Sequence, residues 1–243
     1  MPSTVKQHTL WQSILLHLLP GVLMTAAYVW LIPLFQKAEL PGLLGMSVIV
    51  ILVLVPLELG CLLVLGKKHN QRFSLKGIVL FREKTPAGQL VLFVAGVLAI
   101  SVAVIAIAGP FWDEMLKKWF GWLPGWYFLA DDLALYSKPV QLITCLATLL
   151  FTTILGPWVE ELYFRGYLLP RIQWMKAGAP IFEAFFFALY HFWSPWQLIS
   201  RFLAVLPLAA AVNRKRDIRI GIWAHCLLNA IGSMGLLLVF LQS

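Results

Sequence analysis

Residues 9–35 contain no Asp, Glu, Lys or Arg, and residues 40–66 contain only Glu58. A helix needs about 20 apolar residues to cross the hydrocarbon of a bilayer. In lipid, only helices and closed barrels satisfy every backbone N–H and C=O. These runs are continuous rather than alternating, so they read as helices. Further apolar runs at 90–109, from about 140 into the 160s, and at 179–193, 199–212 and 218–241 bring the expected number to about seven. The predicted fold is an all-α polytopic transmembrane helix bundle with interfacial helices. The fifth and sixth runs are short enough to form a re-entrant pair instead. With 60% hydrophobic and 12% charged residues, the chain excludes a soluble domain. The first run is too long for the hydrophobic part of a signal peptide and lacks a convincing cleavage site.

The net charge of +8 is topological first. Lys67, Lys68, Arg72, Lys76, Arg82 and Lys84 share one connection with Glu83, and residues 213–219 carry Arg214, Lys215, Arg216 and Arg219. Arg165, Arg171 and Lys176 follow the fourth run. By the positive-inside rule these loops and the N-terminus are cytoplasmic, and the partner of the basic surface is membrane lipid rather than nucleic acid. Residues 110–139 hold Trp112, Trp119, Trp122 and Trp126 with balanced charge, as in a segment at the lipid–water boundary. The Asp131-Asp132 pair there has no histidine nearby and reads as solvated loop, since metal sites need several convergent ligands. Cys61, Cys145 and Cys226 sit unpaired in apolar runs, as small core residues do. The chain thus divides into an N-terminal part, 1–139, and a part carrying the chemistry, 140–243.

That chemistry centres on Glu160-Glu161-Leu162-Tyr163-Phe164-Arg165, where two carboxylates and an arginine interrupt an apolar run. On a helix Glu161 and Arg165 share a face and Glu160 points about 100° away, so one acid can be neutralised locally while the other is free. His191 lies in the fifth run; His225 and Asn229, at i,i+4, share a face of the last. Ionisable groups at membrane depth are costly and face a bundle interior or a wet cavity. At about 1.5 Å per residue, His225 is 9 to 10 Å from the 213–219 loop and His191 about 16 Å from Pro180, which suggests a cavity open to water on the basic-loop side. A carboxylate and a neutral imidazole can share a water that attacks a carbonyl, while a second imidazole and a carboxamide hold the oxyanion. The same Glu160, His191 and His225 are also suitable ligands for a divalent metal such as zinc. Neither Glu58 nor Glu183 is assigned a role, and Glu183 can be read as facing solvent. Phe187 is read as packing that fixes the His191 helix.

Taken in order, Glu160-Glu161-x-x-x-Arg165, Phe187-x-x-x-His191 and His225-x-x-x-Asn229 resemble the three motifs of the CPBP family of intramembrane proteases, which includes type II CAAX prenyl endopeptidases and bacteriocin-processing or immunity relatives. The resemblance covers about 140–240. It implies that Glu160 is the general base acting with His191, that Glu161 and Arg165 organise the site, and that His225 and Asn229 form the oxyanion hole. It leaves a glutamate-type and a metal-dependent mechanism both open. The implied activity is an intramembrane endopeptidase cutting a peptide or lipidated protein near the cytoplasmic face. The alternative is a non-catalytic scaffold or immunity protein of the same fold. Ion or proton translocation would require polar groups continuing into the outer half of the membrane, where Arg201 stands nearly alone.

Overall fold

The structure is a computed structural model describing residues 5–129 and 132–242; Asp131 lies outside the described residues. It consists of eight principal helices: α1 (Leu10–Lys37), α2 (Gly42–Asn70), α3 (Ala87–Ile107), α4 (Gly109–Trp119), α5 (Lys138–Arg171), α6 (Ala179–Tyr190), α7 (Leu198–Lys215) and α8 (Ile218–Gln242). Among the described residues there is no strand, only an isolated bridge between Arg82 and Asp217. Thr9 opens α1 through a capping box with Gln12, satisfying two otherwise orphaned backbone donors. Long helices of this kind expose apolar side chains outward: Leu52, Leu92, Ile107 and Leu241 are all exposed, as lipid-facing surface requires.

Six of the helices are long and apolar enough to cross a membrane. The expected fifth span is corrected. α6 has 12 residues, about 18 Å of helix against a hydrocarbon thickness of about 30 Å. It stops at His191, whose φ of −78° and ψ of 54° leave helical geometry, and Pro195 keeps Ser194 out of helical geometry further along the turn. The chain then turns through 191–197 and returns as α7, so α6 and α7 form an antiparallel hairpin. The aromatic segment after α3 is the short α4 followed by 3-10 turns at Gly125–Phe128 and Leu133–Leu135. Asp132 caps the second of these, accepting from Ala134 N–H at 3.1 Å.

The basic loops meet at one end of the bundle. Leu80 N–H donates to Gly166 C=O at 2.7 Å, Ile218 N–H to Phe81 C=O at 2.8 Å, and His8 N–H to Arg171 C=O at 2.8 Å. Gln173 Nε2 donates to Asn213 Oδ1 at 2.9 Å. Asp217 closes this end, taking Thr85 N–H at 2.8 Å and the Arg219 guanidinium at 2.6 Å. At the other end, Tyr28 OH donates to Tyr127 C=O at 2.7 Å and Tyr127 OH to Phe192 C=O at 2.9 Å. These two bonds hold the turn after α6 against α1.

Close helix contact fixes α6. A Cβ built on Gly21 of α1 would run into the Tyr190 carbonyl and ring, so only glycine allows the approach. Gly21→Val is expected to lower stability by about 1–3 kcal/mol through overpacking, read as a lower unfolding midpoint by tryptophan fluorescence in detergent; an unchanged midpoint would mean that α1 does not clamp α6. Asp217 supplies a pH test. Burial pushes its carboxyl up, but the Arg219 side chain and the Thr85 backbone N–H outweigh this and hold it below the usual aspartate value. Its contribution is therefore complete above the ordinary aspartate range and lost on acidification through the lowered folded value. Asp217→Asn is expected to flatten that acid limb in a stability-versus-pH series.

Candidate functional site

α5 presents its acids in two directions. It is α-helical over Gly156–Glu160 and π-helical over Thr148–Leu155 and Glu161–Leu168, and π turns re-aim side chains along an otherwise continuous helix. Glu161 turns into the protein, where its Oε1 is 3.1 Å from Arg165 Nη1 and 3.0 Å from His225 Nδ1. Arg165 is wholly buried and reaches a second carboxylate, Glu183 of α6, with Nε to Oε1 at 3.1 Å. Its guanidinium also lies 4.0 Å over the Phe187 ring. α8 comes close enough for this arrangement because residue 221 is glycine: a Cβ there would strike the Glu161 carboxylate.

Glu160 faces the other way, into a cavity of about 510 Å³. Its Oε1 accepts the Tyr190 hydroxyl and lies 3.9 Å from His191 Nε2, while its Oε2 lies 3.9 Å from His225 Nε2. Those separations are too long for direct hydrogen bonds and short enough for one water to touch both partners. His191 is the residue that ends α6. Its Nδ1 lies 2.8 Å from Phe187 C=O, and because a carbonyl only accepts, Nδ1 carries the proton and the neutral ring leaves Nε2 bare toward Glu160. A helix C-terminus lacking partners for its last carbonyls thus sets the tautomer. His225 donates Nδ1–H to Glu161. Asn229, one turn further along α8, lines the cavity and has Nδ2 3.4 Å from Thr152 C=O.

The structure brings Glu160, Glu161, Arg165, His191, His225 and Asn229 together from α5, α6 and α8. Phe187 is 1% exposed and packs edge-on to both His191 and His225, at 5.0 and 5.7 Å between ring centroids. Sequence reasoning missed two members. Tyr190 is hydrogen-bonded to Glu160, and Glu183 is fully buried against Arg165 rather than facing solvent. The signal was the spacing of Glu183, Phe187 and Tyr190, which places all three on one face of α6. Glu58 is also fully buried, and neither of its oxygens has a hydrogen-bond partner among the described residues. No group of three His, Cys, Asp or Glu side chains suited to a metal occurs among the described residues.

The direction of the cavity differs from expectation. Its lining includes Ile105, Gln197 and Leu236, each 18 residues along the chain from the basic end at Ala87, Lys215 and Ile218. At 1.5 Å per residue that is about 27 Å. The lining reaches Asp113 of α4 and Leu43 at the start of α2, and includes no residue of the basic loops. The cavity therefore runs from Glu160 toward the end opposite those loops, and the Glu161–Arg165–Glu183 cluster lies between it and them. Thr148, Thr152, Gln197, Ser200, Arg201 and Ser233 line that far part, so it is more polar than the sequence suggested. Removing one member of the buried cluster strands the others. Glu183→Ala is expected to cost about 3–5 kcal/mol and Glu183→Gln less, in chemical denaturation; equal stability of all three proteins would show that Arg165 does not need its second carboxylate.

Comparison with known proteins adds one finding. A family model described as type II CAAX prenyl endopeptidase Rce1-like matches residues 142–231. No curated protein and no solved structure matches the chain. The matched segment begins in α5 and ends in α8, and so contains Glu160, Glu161, Arg165, Glu183, His191, His225 and Asn229, whereas Asp113 of the cavity lining lies outside it. Over residues 142–231 the chain is similar to the type II CAAX prenyl endopeptidase Rce1-like family.

Proposed function

We propose that the protein is an endopeptidase embedded in the membrane that hydrolyses a peptide bond with water activated between Glu160 and His191. The observation carrying this reading is the placement of both Glu160 oxygens, each 3.9 Å from an imidazole Nε2, at the inner end of a cavity large enough for a short extended peptide. A water held by Glu160 and the bare Nε2 of His191 gives its proton to the carboxylate as its oxygen attacks the carbonyl carbon. Tyr190 fixes the carboxylate by its hydroxyl. The oxyanion is received by Asn229 Nδ2 and by His225. Donation from His225 Nε2 requires the doubly protonated ring, with Nδ1–H on Glu161 and Nε2–H on the oxyanion. Collapse of the tetrahedral intermediate breaks the C–N bond, and the proton on Glu160 passes to the leaving amine.

Arg165, Glu161 and Glu183 touch no substrate in this scheme; they hold His225 and the floor of the cavity. The reaction is written without a metal; in the competing metal-dependent form Glu160, His191 and His225 would have to rearrange to share a zinc ion, since they do not form a metal-suited group as they stand. With the basic loops on the cytoplasmic side, as their charge implies, the bond reaches Glu160 through the opposite half of the bundle. The substrate is then a membrane-tethered or lipidated peptide whose scissile bond enters that half.

Purified protein in detergent or liposomes is expected to cleave members of a membrane-peptide library. Glu160→Gln should lower kcat by about 10²–10⁴, the usual worth of a general base. Asn229→Ala should lower it by about 10²–10³, the usual worth of one oxyanion donor. Full cleavage by a folded Glu160→Gln protein would reject the assignment. Chelator should leave activity unchanged in the glutamate-type mechanism and abolish it, with recovery on adding zinc, in the metal form.

A further inference from the structure

Arg201 plays no part in the scheme above, yet it lines the same cavity as Glu160. The contrast with Arg165 is informative. Arg165 has two carboxylates at 3.1 Å, whereas no Asp or Glu among the described residues lies within ion-pair distance of Arg201. Its contacts are neutral: Nη2 donates to Ser194 Oγ at 3.0 Å and to Gln197 Oε1, and Nη1 finds no acceptor. Asp113 lines the cavity too, but its Oδ1 takes the Ser200 hydroxyl at 2.5 Å. A cation in a partly buried, low-dielectric wall is costly without an anion in contact, and Glu160 and Asp113 act on Arg201 only from beyond ion-pair distance. Here it is held in place by the turn that follows His191, since Ser194 and Gln197 both belong to it. A guanidinium fixed in this way matches a carboxylate in shape and charge.

We propose that Arg201 is a specificity-determining residue forming an anion subsite that receives a carboxylate of the peptide substrate. That carboxylate is either the chain terminus or an acidic side chain. The subsite and the reacting pair share one short segment, with His191 at its start and the two residues that clamp Arg201 further along. Docking of the carboxylate therefore sets how far along the peptide the bond facing Glu160 lies. The proposal rests on the peptidase reading for the identity of the ligand as a peptide, and its test separates the two.

Three apolar hexapeptides of one sequence serve as probes: a free C-terminal carboxylate, a C-terminal amide, and an amide with Glu replacing one residue. Affinity for the purified full chain is measured by tryptophan fluorescence, and cleavage by mass spectrometry. Wild type should bind at least one carboxylate form about tenfold or more tighter than the neutral amide, the usual worth of a charged hydrogen bond. Which form is preferred tells a terminal from a side-chain carboxylate. Arg201→Gln should erase the preference and leave affinity for the neutral amide within about twofold, while Arg201→Lys should keep part of it. Equal affinity of all three peptides for wild type, or a preference that survives in a folded Arg201→Gln protein, overturns the proposal. A role for Arg201 as distant counter-charge to Glu160 would instead lower kcat for every peptide alike without altering relative affinity. Carboxylate preference in binding with no cleavage of any peptide would retain the subsite and reject the peptidase.

Discussion

Everything around the cavity depends on the Arg165 guanidinium being neutralised inside the bundle. It is wholly buried, with Glu161 one helical turn away on α5 and Glu183 facing it from α6. A buried charge left without partners is among the most expensive features a fold can contain, so two helices must keep their register for the cluster to exist. Glu161 passes the constraint on, because the oxygen that meets Arg165 also meets His225 of α8. Three helices are locked by one group of charges, and Phe187 caps it with its ring against the guanidinium.

That lock divides the acids by function. Glu161 is consumed by structure, while Glu160, its neighbour in sequence, faces open space with Tyr190, His191 and His225 around it. Adjacent carboxylates would repel in one site; a helix avoids this by pointing them apart. The same geometry closes the bundle under the basic loops and leaves the cavity on the other side. A relay crossing the whole membrane has no path through the cluster among the lining residues, whereas a blind cavity suits a reaction that consumes water and holds a peptide.

His191 illustrates how a local rule becomes chemistry. The helix that carries it ends one residue earlier, and its Nδ1–H supplies a partner to a carbonyl that the helix leaves unsatisfied. This fixes the ring plane and directs the bare nitrogen at Glu160. The turn beyond it is pinned by Tyr127, which Tyr28 of α1 secures in turn. The N-terminal helices, which carry none of the residues proposed to react, thereby position the turn next to those that are.

The apolar run lengths fixed the helical character and the approximate span positions, because lipid leaves the backbone few alternatives. The i,i+4 spacings of Glu161 with Arg165 and of His225 with Asn229 announced shared faces, since helical periodicity is a property of the chain alone. What the sequence could not carry was the separation between helices. The shortness of α6 depends on where its turn packs. Glu183 and Tyr190 became part of the cluster only when α6 docked on α5. The direction of the cavity follows from which helix ends splay and which are cross-linked by charge. Hydropathy counts residues along the chain, but burial and access are decided by contacts between segments distant in it, and those exist only in the folded bundle.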